Sequence, residues 1–222
     1  MALDLEIYGI PAFYVFMAVC LILPRIPVAG KYFSIINTGI HELGHALMTL
    51  LLDGRVIRVE LRNDTSGITA SSDIRGKLAA FLVAVSGYTA ASAAALLAAR
   101  LMDMHLGAAL LTGLTMTFFV MLVFWTRNAY GIVWTVSFCA LNCYLIYTEN
   151  RFLDYFALFC STLMLTESFF SAFEQLLITI RKPSTPCDAT NLAKITGIPS
   201  VIWSFLFVAL AALCCYLAVS SI

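Results

Sequence analysis

The 222-residue sequence predicts an all-α polytopic membrane protein. It would have about seven transmembrane helices and a short membrane-associated β-hairpin after the second. Three observations carry this reading. Hydrophobic residues make up 61% of the chain and charged residues 12%, and mean hydropathy is +0.92. Apolar runs follow one another with short polar breaks, and about 20 residues is what a helix needs to cross the hydrocarbon core. Between the second and third runs stands an alternating segment with a turn in its middle.

The first span is expected at residues 7–23, stopped by Pro24 and Pro27. The opening MALDLEIYG carries two acids and no base, so it lacks the positive region of a cleaved signal peptide and the first run is expected to be retained. The second span, residues 33–52, ends at Asp53-Gly54. Val56, Ile57, Val59 and Leu61 then interleave with Arg58, Glu60 and Arg62, and after the turn signal at residues 63–67 Ile68-Thr69-Ala70 resumes an extended pattern. This predicts a hairpin that leans on the helices or on a partner strand, because a lone hairpin is marginal in water.

The third span, residues 78–99, is rich in Ala with Ser86, Gly87 and Ser92. Small residues let membrane helices approach closely, which places it in the middle of the bundle. The fourth and fifth spans fall at residues 106–125 and 130–147, the fifth stopped by Glu149 and Asn150. The sixth, residues 152–180, is longer than a bilayer needs, so it is tilted or projects. A Pro-containing break at residues 181–187 precedes a short helix from Ala189 to Thr196 with Asp188 as its N-cap, and a last span covers residues 200–219. The whole chain reads as one membrane-embedded domain.

Net charge is zero, so nothing points to nucleic acid. Six of the seven cysteines (Cys20, Cys139, Cys143, Cys160, Cys214, Cys215) lie inside apolar runs and read as packing residues; Cys187 lies in a polar connection. With seven spans, nine of the thirteen basic residues fall in the connections after spans two, four and six. The positive-inside rule then predicts a multi-pass protein, of the cell membrane, with a cytoplasmic N-terminus.

Inside the second run stands His41-Glu42-Leu43-Gly44-His45. Residues four apart in a helix sit about 40° apart on one face. His41 and His45 can therefore offer two imidazole nitrogens to one metal, with Glu42 placed to work on a water. A lone buried histidine is more often a core residue than a ligand. Here two of the chain's three histidines share one turn with a glutamate, in a segment where ionisable groups are expensive and mark function.

Catalytic zinc takes three protein ligands and one open position. Asp188, at the membrane boundary after the Pro-containing break, is the candidate third ligand. Cys187, Glu167, Glu174, Glu60 and Asp64 are its competitors. One Zn2+ per chain is expected, lowering the pKa of its water toward about 7 while Glu42 takes the proton. The hairpin offers an edge on which an extended peptide could be held, with Val59, Leu61, Gly67 and Asn191 as candidate substrate contacts. The competing functions are a membrane zinc hydrolase of a non-peptide substrate and a non-catalytic metal-binding scaffold or transporter.

HELGH in an early membrane helix, with a distant aspartate before a late one, resembles the site-2 protease family of membrane-embedded zinc metallopeptidases. It most resembles the small bacterial-type branch without a PDZ domain, where Ser86-Gly87-Tyr88, Arg127-Asn128 and the DAxxLAxxTGIP stretch of residues 188–199 recur in this order. The resemblance implies His41, His45 and Asp188 as zinc ligands and Glu42 as catalytic base. It also implies a transmembrane protein substrate, cut within or next to its membrane segment. Other members carry N-x-x-P-x-x-x-L-D-G around the aspartate. Here Ser-Thr-Pro-Cys precedes Asp188, Ala189 follows it, and Asn191 is the candidate for the substrate-binding asparagine.

Overall fold

A computed structural model describes residues 5–7, 10–148 and 151–220. Tyr8 and Gly9 of the expected first span, residues 1–4 of the acidic opening and the Glu149-Asn150 stop lie outside the described residues. In order, the elements are β1 (Glu6–Ile7), β2 (Ile10–Pro11), α1 (Ala12–Ile22), α2 (Ala29–Leu51), β3 (Arg55–Leu61), β4 (Gly67–Ser72) and α3 (Gly76–Asp103). They are followed by α4 (Gly107–Phe124), α5 (Ala129–Thr148), α6 (Phe152–Arg181), α7 (Asp188–Thr196) and α8 (Ser200–Val219). The fold is the expected all-α bundle with its hairpin after the second helix.

The span count differs. Among the described residues five helices, α3, α4, α5, α6 and α8, are long and apolar enough to cross a membrane, against the seven expected. The first apolar run loses its opening residues to the β1–β2 ladder, which leaves α1 with 11 residues, short of the roughly 20 a crossing needs. Helix α2 has 23 residues, but Asn37, Thr38, His41, Glu42 and His45 interrupt its apolar character. Its apolar face buries Ile35, Ile36 and Ile40.

Helix α3 takes the central place its small residues predict, touching α2, α4, α6, α7 and α8. One core gathers residues of α1 to α6, with Trp134 stacked on Phe138 and met edge-on by Phe118. A second, smaller core joins Ala84, Ala172, Ala189, Leu192, Phe207 and Ala211, and it docks α7 against α3, α6 and α8.

The hairpin folds back along α2. Strands β3 and β4 pair antiparallel with Leu61 opposite Gly67 and Val59 opposite Thr69, and a bulge falls between Val56 and Arg58. Thr38 of α2 donates to the Thr65 carbonyl in the turn (2.8 Å). The outer edge of β3 is closed by the α4–α5 connection. The Val59 N–H donates to the Trp125 carbonyl (2.8 Å), and the Arg127 N–H to the Val59 carbonyl (3.3 Å). The Asn128 side chain clamps both backbone groups of Leu61, donating to its carbonyl (2.6 Å) and accepting from its N–H (3.2 Å).

Outward backbone groups at Val59 and Leu61 make their pairs with Thr69 and Gly67 the non-hydrogen-bonded kind, since the two kinds alternate along an antiparallel ladder. The N–H and C=O of Gly67 and Thr69 therefore face the other edge, that of β4. Asn128→Ala leaves both Leu61 backbone groups without their partner beneath a fully buried side chain. The expected cost is about 1–3 kcal/mol, read as a lowered melting temperature and faster proteolysis of the hairpin in detergent.

Candidate metal centre

The lone pairs that meet between α2, α3 and α7 come from residues far apart in sequence. His41 and His45 share one face of α2, as residues four apart must. Asp188 arrives from the start of α7. The expected N-cap role for Asp188 is filled instead by Cys187, whose N–H donates to the Thr190 hydroxyl (2.8 Å) while its side chain accepts from the Thr190 N–H. Asp188 is thus the first residue of α7, with its carboxylate released from capping. The corner is held by the buried Ala189 and Leu192.

The Nε2 atoms of His41 and His45 stand 3.0 Å apart, and Asp188 Oδ2 lies 3.1 Å from the first and 3.3 Å from the second. His45 Nδ1 sits 2.7 Å from the Val83 carbonyl, which can only accept, so that nitrogen carries the proton and Nε2 presents a lone pair. The Ser86 hydroxyl donates to the same carbonyl (2.7 Å) and borders Nδ1.

Three acceptor atoms aimed at one point repel one another unless a cation lies between them. Ligands about 2.0–2.1 Å from a tetrahedral zinc stand about 3.3 Å apart, close to the triangle observed here. The chain also keeps the centre of that triangle clear. A Cβ on Gly87 of α3 would fall 2.5 Å from His45 Nε2 and 2.6 Å from His41 Nε2. The donor set and this cradle both fit a divalent metal. Tyr88, the next residue, meets the His41 ring edge-on at 4.6 Å between centroids.

Glu42 is buried in the same cleft, a cavity of about 950 Å³. The Thr69 hydroxyl of β4 donates to its Oε2 (2.7 Å) and lies 3.0 Å from its backbone carbonyl. Gly67 packs so tightly on the Glu42 carboxylate that any side chain there would overlap it. The edge of β4 therefore runs directly beside the glutamate.

The other sequence-predicted positions sort as follows. Gly67 and Asn191 line the cleft, Asn191 as an exposed residue. Val59 and Leu61 do not line it. Both are fully buried, and their outward backbone groups are taken by residues 125–128, so the open strand is β4 and not β3. Among the alternative ligands, Glu60 pairs with Arg58 (2.8 Å) and Arg62 (2.9 Å), and the Arg62 hydrogen bond holds it below the usual carboxylate range. Asp64 accepts from Ser66, while Glu167 and Glu174 line an adjoining cavity. Among the described residues, His41, His45 and Asp188 form the group of ligating side chains close enough for one ion.

Sequence reasoning missed Thr69, Val83 and the contact role of Gly87. The alternation of the hairpin puts Thr69 on one face with Gly67, but nothing local says that face meets Glu42. Gly87→Ala tests the cradle. Alanine is the better helix former by about 1 kcal/mol, so α3 should hold, while zinc affinity should fall at least 10-fold by equilibrium dialysis.

No curated protein and no solved structure matches the chain. The profile of the Peptidase M50B-like family matches residues 12–218, a stretch that contains α1 through α7, the whole hairpin and all three candidate ligands. The chain belongs to this family of site-2-type membrane metallopeptidases.

Proposed function

We propose that the chain is a zinc-dependent intramembrane endopeptidase that hydrolyses a peptide bond within or next to a transmembrane segment of a membrane-protein substrate. The observation that carries this reading is the placing of His41, His45, Asp188 and Glu42 in one cleft beside the open edge of β4. Zinc held by the three ligands supplies a Lewis acid that activates water and polarises a carbonyl.

The protein's own residues do the rest. Thr69 holds the Glu42 carboxylate with one oxygen hydrogen-bonded, leaving the other to take a proton from the attacking water and pass it to the leaving amine. A substrate helix hides its carbonyls in its own hydrogen bonds and must unwind to be cut. The outward N–H and C=O groups of Gly67 and Thr69 can hold the unwound stretch as an added strand. This gives the substrate-contact role foreseen for the hairpin to Gly67 and its neighbours on β4.

The hairpin, the α4–α5 connection and the segment before α7 gather on one side of the molecule, as the Val59 contacts and the shared cleft require. Nine of the thirteen basic residues lie in these connections, in the helix ends that flank them or in α7, so we place them on the cytoplasmic side.

The test compares membrane proteomes of cells producing wild-type or Glu42→Gln protein, followed by cleavage of each candidate substrate in proteoliposomes. Glu42→Gln should retain one zinc per chain and lose 10²- to 10⁴-fold in rate, the range of general-base catalysis. Full cleavage by this variant would refute the assignment. Thr69→Val should lower kcat about 10-fold with zinc unchanged. An unaltered rate would mean that Thr69 does not position Glu42.

A further inference from the structure

The structure leaves one buried amide in the cleft without a partner, and its position assigns it a task. Gln175 of α6 is 6% exposed, and its Nε2 makes no hydrogen bond. A buried donor with no acceptor lowers stability, and natural proteins keep few of them. Gln175 lines the same cleft as His41, Glu42 and Asp188.

Helices α2 and α6 run the same way, since Phe33 meets Phe156 and Phe159 and, further along both, Asn37 reaches Ser171. Gln175 lies one turn beyond Ser171, as His41 lies one turn beyond Asn37. Gln175 and His41 both line the cleft, so the amide shares it with the metal motif. Adjacent residues on a helix point about 100° apart. Thr38 bonds the hairpin and Asn37 bonds α6, so the hairpin and α6 form facing walls with α2 as the floor between them.

A peptide held as an extra strand on β4 satisfies only one of its edges. Its other edge presents carbonyls and N–H groups toward α6, in a cleft where unpaired polar groups are costly. Asn37, on the floor, already gives an amide hydrogen to Ser171 (3.2 Å). Gln175 brings a buried donor with no partner to that wall. We propose that Gln175 binds substrate, its side-chain amide donating to a main-chain carbonyl of the peptide on the edge turned away from β4. This rests on the peptidase reading above and extends it.

The experiment uses the full zinc-loaded chain in detergent and two probes. One is a peptidyl hydroxamate, which ligates zinc and extends a backbone along the cleft. The other is acetohydroxamate, which ligates zinc alone. Gln175→Met removes the donor at similar length, and Gln175→Glu exchanges the donor for an acceptor, so either folded variant suffices. Affinity for the peptidyl hydroxamate should fall about 5- to 10-fold, the loss of one hydrogen bond. Acetohydroxamate affinity and zinc content should not change, and the melting temperature of Gln175→Met should not fall.

Unchanged peptidyl-hydroxamate affinity in a folded variant overturns the proposal and leaves the peptidase reading standing. Equal weakening of both probes also overturns it, since Gln175 would then support the metal centre. Wild-type protein that binds neither probe overturns the metallopeptidase reading and this inference together.

Discussion

Three lone pairs aimed at one point inside a helix bundle form an arrangement that a metal-free protein would have no reason to keep. His41, His45 and Asp188 approach to 3.0–3.3 Å with at most one proton among them on the facing atoms, because His45 has committed its own to Val83. Much of the nearby structure serves that convergence. The central helix gives up a side chain at Gly87 and turns a carbonyl at Val83 outward. Cys187 and Thr190 close the end of α7 so that Asp188 need not. Ala189 and Leu192 then pin that end in a core of its own. Each device stabilises one ligand's position, and together they make a rigid site from three separate elements.

The hairpin solves a different problem. A two-stranded ribbon has two open edges, each a template for unwanted pairing. Here β3 is capped by the α4–α5 connection through four backbone and side-chain hydrogen bonds, and the Arg127 guanidinium meanwhile donates to the Phe124 and Thr126 carbonyls at and just past the end of α4. Only β4 stays open, and it opens into the cleft beside Glu42. The asymmetry suits the proposed presenting role, since a hairpin free on both sides could hold a peptide at the wrong distance from Glu42. The links from Thr38 to the turn and from Thr69 to Glu42 set that distance along the helix.

The helical elements were legible because apolar runs of membrane length leave little else for a chain to do, and the boundaries of α6 and α8 fall within a residue of the expectation. The motif on α2 was legible for the same local reason, as 3.6-residue periodicity alone puts His41 beside His45. Asp188 required elimination, and its helix position was off by one because residue type favours aspartate at an N-cap while the structure prefers to spend it on histidines. What could not be read was which hairpin edge is closed. Val59 and Leu61 carry the stronger β pattern, but the choice depends on Asn128, nearly seventy residues away, and no local signal encodes a long-range clamp. The span count erred where polarity and local pairing compete with apolar length, in α1 and α2.

That error bears on how α2 can exist. A helix with Asn37, Thr38, His41, Glu42 and His45 on one side cannot face lipid there, since each unpaired polar group would be left in hydrocarbon. Its polar side is covered by neighbours on every flank, with the hairpin at Thr38 and Glu42, α3 at His45, α6 at Asn37 and α7 at His41. The helix that carries the chemistry therefore depends for its burial on elements that follow it in the chain, the last of them beginning at Asp188. The candidate site and the packing of the bundle are completed by the same contacts, so a change that weakens α7 or the hairpin acts on α2 even when it touches none of the candidate ligands.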